Sequence, residues 1–208
     1  MKFEEALRQE FSDINPTSWY SLAISARNLD KTVSSITGMT VGDSSGNVLY
    51  QKFFGSGISD ETLLYDRLNR TDIDESGRLD FVLQDIVDII PTGAYLFSSH
   101  ASTWTVPLFC NMSEEYPSLL GGRTWYHCDI RALALSCTRY PFNRTEGALF
   151  RDWLSWCRLS SRVSLFTALE GLHIYDSPLK RAPTAKVEAI GRAITAALNT
   201  EVFVADEG

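Results

Sequence analysis

Trp19-Tyr20-Ser21-Leu22-Ala23-Ile24-Ser25-Ala26 is the stretch from which the fold is read. It is short and largely apolar, with Trp19, Tyr20 and Ile24 suited to a strand, and Asn15-Pro16-Thr17 ends the preceding segment just before it. A strand is predicted over Trp19–Ala26. Two further strands are predicted over Ser35–Gly42 and Asn47–Phe54, joined by the hairpin turn Asp43-Ser44-Ser45-Gly46. Three strands in meander order are the expected start of a mixed sheet.

Helices are expected to alternate with the strands that follow. Asp60–Asn69 reads as a helix capped by Ser59 or Asp60. Leu79, Val82, Leu83, Ile86, Val87 and Ile90 recur at helical spacing and Pro91 stops them. Ala94–Ser99 is a candidate buried strand, a helix is predicted from near Thr103 toward Tyr116, and Trp125–Leu133 reads as a strand or strand-to-helix segment. Phe150, Trp153, Leu154 and Cys157 suggest a helix, as does Leu165–Leu172. Val187, Ile190, Ile194 and Ala197 form the inward stripe of a last helix over Thr184–Leu198. The whole is expected to be one α/β domain over 1–208. Residues 1–17 would be an N-terminal helical extension, with Phe3, Ala6, Leu7 and Phe11 on one side, and 139–162 an Arg-rich helical insert.

Composition narrows the function classes. At 208 residues, 44% hydrophobic and 22% charged, the chain is an ordinary globular domain with room for a core. Met1-Lys2-Phe3-Glu4-Glu5 has no apolar leader and no run reaches about 18 apolar residues, so a cytoplasmic location without membrane contact is expected. The four cysteines, Cys110, Cys128, Cys137 and Cys157, have no metal-binding spacing and are expected to be buried thiols. A net charge of −7 opposes tight non-specific nucleic-acid binding. The charge is uneven, however. Residues 1–122 hold 17 acidic and 8 basic residues, a balance of −9, whereas 123–208 hold 9 and 11, a balance of +2. Seven arginines fall between Arg123 and Arg162, and Arg suits bidentate phosphate contact.

Three motifs carry a family resemblance. Ala23-Ile24-Ser25-Ala26-Arg27-Asn28-Leu29-Asp30 is similar to the "D-I-E-T-x-G-L-D" opening of DnaQ-like 3′–5′ exonucleases. His100-Ala101-Ser102-Thr103-Trp104-Thr105 is similar to their "H-N-x-x-F-D", and Tyr175-Asp176-Ser177-Pro178-Leu179-Lys180-Arg181-Ala182 to their "H-x-x-x-x-D-A". The chain therefore resembles the DnaQ-like (RNase T/DexA-like) branch of the RNase H-like superfamily over roughly 18–198. The phage DexA-like members are nearest: Thr105-Val106-Pro107 and Cys128-Asp129-Ile130-Arg131 resemble their Asp-aromatic-Pro and Arg-Asp-Ile-Arg. The resemblance implies an RNase H-like mixed β-sheet flanked by helices.

It also implies that the chemistry is gone. The family reaction uses two divalent metals held by four acids, and such metals need hard oxygen ligands. The matching positions here are Ala23, Ser25, Thr105 and Lys180. Ala23 offers no ligand, Ser25 and Thr105 only neutral hydroxyls, and Lys180 a cation where a cation should bind. Tyr175 stands at the general-base position with no acid to follow it. The resemblance thus implies no catalytic residues, no metal and no cofactor. The expected function is binding of single-stranded nucleic acid without cleavage, through Trp104, Lys180, Arg181, Arg123 and Arg131. One alternative is a phage-encoded module that binds and modulates a host enzyme. Another is an active exonuclease with a metal site relocated to Asp30, Asp129 or Asp176. Family members often dimerise, so a homodimer is also allowed.

A last pattern, Asp72-Ile73-Asp74-Glu75-Ser76-Gly77-Arg78-Leu79-Asp80, resembles the first nine positions of an EF-hand loop. Leu83 stands where the bidentate Glu belongs, so a loop leading into an acidic helix start is the better reading.

Overall fold

The structure, a computed structural model, describes residues 18–28, 31–130 and 182–199. Its centre is a six-stranded mixed sheet. The strands are β1 (Trp19–Ala26), β2 (Ile36–Gly42), β3 (Val48–Phe54), β4 (Ile73–Asp74), β5 (Tyr95–Ser98) and β6 (Tyr126–Asp129). They lie in the order β4-β3-β2-β1-β5-β6. β1, β2 and β3 form an antiparallel meander, with Ser21 opposite Gly42 and Gly38 opposite Phe53. β5 joins β1 in parallel, β6 joins β5 in parallel, and β4 joins β3 in parallel. The parallel set β1, β5 and β6 therefore points its C-terminal ends the same way.

Local chemistry accounts for the connections. In the β2–β3 turn the Asp43 carboxylate accepts from the Ser45 and Asn47 amides at 2.8 and 2.9 Å. Gly46 takes φ +87°, which Gly adopts without Cβ strain. The Ser59 hydroxyl caps α1 (Asp60–Asp66) by accepting from Thr62 N at 3.2 Å. Arg67 ends α1 in the left-handed region at φ 58°. Helix α2 (Leu79–Ile89) follows β4, and Ile90, whose amide caps it, leads into Pro91.

Side chains of a strand alternate between the two faces of the sheet. On one face Leu22, Met39, Val41 and Leu96 meet Val82, Leu83 and Ile86 of α2 and Leu108 and Met112 of α3 (Val106–Glu115), all buried. Each such burial stabilises by roughly 1.5–3 kcal/mol, so Leu83→Asp would break this layer. On the other face lies α5 (Pro183–Asn199), burying Val187, Ile190 and Ile194 against β1 and β2. The strand residues beneath it are small: Ser21, Ala23 and Ser25 on β1, Gly38, Thr40 and Gly42 on β2. A Cβ on Gly42 would lie 2.3 Å from Val187 Cγ1, so this smallness is what lets the helix approach.

Several expectations are adjusted. β1 spans the stretch predicted for it, and β2, β3, α2 and α5 begin and end within one residue of theirs. The helix expected from Thr103 is instead a π-helical turn, Ala101–Thr105, followed by α3 and a short α4 (Pro117–Leu120). Pro107 has no amide to donate and sits in the first turn of α3, where none is needed. β4 was unforeseen. Cys110 is exposed and Cys128 half-buried, not the buried thiols expected. The predicted elements at 2–11, 139–162 and 165–172 lie outside the described residues. Among the described residues no helix is long and apolar enough to cross a membrane.

Candidate functional site

The first two motifs converge at the C-terminal end of the parallel strands. Ala23 and Ser25 are two residues apart on β1 and share the face covered by α5; they are 6% and 3% exposed. Among the described residues the Ser25 hydroxyl has no hydrogen-bond partner. β5 ends at Ser98, and the chain turns through Ser99 and His100 into the π-helical turn. Thr105 closes that turn. Its hydroxyl is buried and shares a 2.8 Å hydrogen bond with the Ser98 hydroxyl. The Trp104 and Thr105 amides both donate to His100 O, at 2.9 and 3.1 Å, which holds the motif at the strand end.

Ser98 is opposite Asp129 in the β5–β6 register, so Asp129 comes to the same end of the sheet, 7% exposed and hydrogen-bonded or otherwise engaged. The third motif enters through α5. Ala182, Pro183 and Thr184 lie beside Gln51, Lys52 and Phe53 of β3. In register, Gln51 is level with Thr40 and Ala23, and Phe53 with Gly38 and Ser25. The start of α5 is therefore at the height of the degenerate β1 positions. Tyr175, Lys180, Arg181 and Arg131 lie outside the described residues.

Among the described residues this end carries the hydroxyls of Ser25, Ser98 and Thr105 and one buried carboxylate, that of Asp129. Ala23, Ser25 and Thr105 supply no charge. Among the described residues no group of three or more His, Cys, Asp or Glu side chains could hold a metal ion. The stretch resembling a calcium loop is tied up locally: Asp74 pairs with Lys52 at 3.0 Å and accepts from the Ser76 amide and hydroxyl. The Lys52 hydrogen bond, then that of Ser76, holds the Asp74 carboxyl below its usual range.

Two of the residues expected from sequence to contact nucleic acid, Trp104 and Arg123, also make contacts within the fold. Trp104 is half-buried and packs on the core between the sheet and α2–α3. Arg123 precedes β6 and so lies at the opposite, N-terminal end of the parallel strands. Its guanidinium donates to Val87 O at 3.0 Å and Ile90 O at 3.5 Å, satisfying carbonyls at the end of α2. The structure does not bring Arg123 together with Ala23, Ser25 and Thr105.

A polar cleft of about 500 Å³, not foreseen from sequence, adjoins the start of α5. It is lined by Gln51, Lys52, Arg67, Asp72, Asp74 and Thr184, and by Phe53, Leu68, Ala182 and Pro183. These residues come from β3, the end of α1, the β4 region and α5, so no local pattern could have grouped them.

No family model matches the chain, and no curated protein matches it. Among solved structures it is similar to one described as the structure of the yeast NOT1 MIF4G domain co-crystallized with CAF1. The two are 12% identical, with a TM-score of 0.49 over 94% of this chain and 84% of that one.

Proposed function

We propose that this chain is a catalytically inactive, RNase H-like domain of the DnaQ exonuclease type, and that it holds single-stranded nucleic acid without cutting it. The observation that carries the reading is one of placement. Ala23 and Ser25 lie toward the C-terminal end of β1, level with the start of α5, Thr105 is bonded to Ser98 at the C-terminal end of β5, and none of the three bears a carboxylate. The sheet order, an antiparallel meander extended by two parallel strands, supports the same reading. So does the interleaved helix on each face. A two-metal hydrolysis needs acids at these positions, and the buried hydroxyl and methyl there cannot replace them. What remains of such a site is a shaped end of a sheet to which Lys180 and Arg181, immediately before Ala182 in sequence, can add positive charge.

The test is a titration of labelled single-stranded DNA and RNA, with and without Mg²⁺ and Mn²⁺, followed by a gel of the same samples. Metal-independent binding with intact strands is the expected result. Strand shortening in the presence of metal would overturn the inactive reading. Absence of binding would overturn the nucleic-acid reading and turn attention to a protein partner.

A further inference from the structure

We propose that the cleft beside the start of α5 seats a backbone phosphate of the single strand, with Arg67 as its cationic contact. This rests on the function proposed above and names a place for the ligand within it. The cleft is open to solvent, has a volume of about 500 Å³, and is level with the degenerate positions of β1 through the Gln51–Thr40–Ala23 register. A strand crossing the sheet end would reach it next.

The charges of the cleft are unequal in availability. Asp72 is committed to the backbone, accepting from Asn69 N at 2.8 Å. Asp74 is committed to Lys52 and Ser76. Arg67 is exposed at the rim, on the last residue of α1's cap. Its planar fork of donors is suited to a phosphate. Lys52 stands opposite buried Met39 in the β2–β3 register, so its ammonium lies on the α2 face with Asp74, and Arg67 is left as the cation of the cleft. Gln51 and Thr184 add uncharged polar groups to the lining, which also includes Phe53, Leu68, Ala182 and Pro183.

Arg67 also provides an unusually clean variant. Its backbone is at φ 58° and ψ 40°, where Gly is at ease and a side chain is not. Arg67→Gly should therefore leave the unfolding midpoint unchanged or raise it, while weakening binding. The probe is a labelled oligothymidylate of roughly twelve nucleotides, titrated by fluorescence anisotropy over a series of salt concentrations. Arg67→Gly is expected to weaken binding several-fold and to lower the slope of log affinity against log salt by about one. Arg67→Lys, which keeps the charge but not the fork, should keep the salt slope and bind between the unaltered protein and Arg67→Gly.

Arg67→Gly binding within twofold of the unaltered protein at an unchanged slope would overturn the cleft. So would Arg67→Lys lowering the salt slope as much as Arg67→Gly, because a retained charge keeps the slope. Competition by inorganic phosphate alone at low millimolar concentration, as strong as by oligothymidylate, would reassign the site to a free anion. If the unaltered protein binds no strand, the function proposed above fails first, and this inference with it.

Discussion

Gly191 of α5 lies directly on Gly46 of the β2–β3 turn: a Cβ on Gly191 would come within 2.1 Å of the Gly46 amide nitrogen and 2.3 Å of its Cα. The obstacle is backbone, which cannot swing aside as a side chain can. In an isolated helix Gly→Ala would gain about 1 kcal/mol. Here the clash should win, and Gly191→Ala should destabilise by about 2 kcal/mol. The urea midpoint of the variant, compared with that of the unaltered protein, decides it. A rise in the midpoint of Gly191→Ala would mean that α5 does not pack on the hairpin as described.

Ser25 is expected to be a cost rather than an asset to stability. Its hydroxyl is buried and, among the described residues, has no partner. An unsatisfied hydroxyl costs on the order of 1–3 kcal/mol. Ser25→Ala removes it at nearly constant volume, so the variant should be as stable as the parent or about 1 kcal/mol more stable. A loss of more than 1 kcal/mol in denaturant unfolding would show that the hydroxyl has a partner after all.

Restoring the missing acids tests whether these positions still face a common metal seat. Ala23→Asp with Ser25→Glu places two carboxylates in a buried, uncharged environment, which should destabilise by several kcal/mol. Mn²⁺ bound between them would recover part of that loss by mass action. The double variant should therefore melt lower than the parent without metal, and its melting temperature should rise with Mn²⁺ while the parent's stays fixed. No metal-dependent rise would mean that the two side chains do not share a site with enough ligands.

How far the sequence is legible depends on where the information lies. β1, β2 and β3 are readable because each strand is a continuous run ended by turn chemistry, Asp43 to Gly46 above all. α2 is readable because Leu79, Val82, Leu83, Ile86 and Val87 all face one side. β4 is only two residues, too short for any periodicity, and exists because β3 offers it an edge. The π-helical turn is likewise invisible: it arises from fitting Thr105 against Ser98 at the strand end. Arginine count pointed to phosphate contact at Arg123, but a guanidinium serves helix carbonyls equally well, and only the fold reveals which it meets. The cleft at Lys52 and Arg67 draws on four separate segments, beyond the reach of any local reading.

The Lys186–Asp66 pair ties α5 to the end of α1 across 3.5 Å, with the Asp66 side chain 4% exposed and that of Lys186 22%. Lys186→Met would leave Asp66 buried with its ion partner gone. Loss of one partner of a buried pair costs about 3–5 kcal/mol, and the residual exposure of Lys186 reduces this to about 2–3 kcal/mol. Lys186→Met with Asp66→Asn should recover most of the loss. A double-mutant cycle on unfolding free energies measures the coupling, and a value near zero would show that the pair does not hold the two helices together.

His127 should make the fold acid-sensitive. It sits on β6 with its ring 5.0 Å from that of Phe109, and among the described residues its Nδ1 has no partner. Burial disfavours the charged ring and lowers its pKa to about 4. An unfolded chain's histidine titrates near 6.5. Above that value both states are neutral and nothing is lost. As pH falls from 6.5 toward 4 the unfolded state takes up the proton first, so stability drops, by up to about 3 kcal/mol when the folded-state pKa is reached. His127→Gln cannot titrate and should lose less over the same interval. Unfolding free energies of both proteins at pH 7, 6, 5 and 4.5 isolate the contribution, since the carboxylates that also titrate there are common to both. Parallel curves would mean that His127 protonates in the fold as readily as in the unfolded chain, and is not buried.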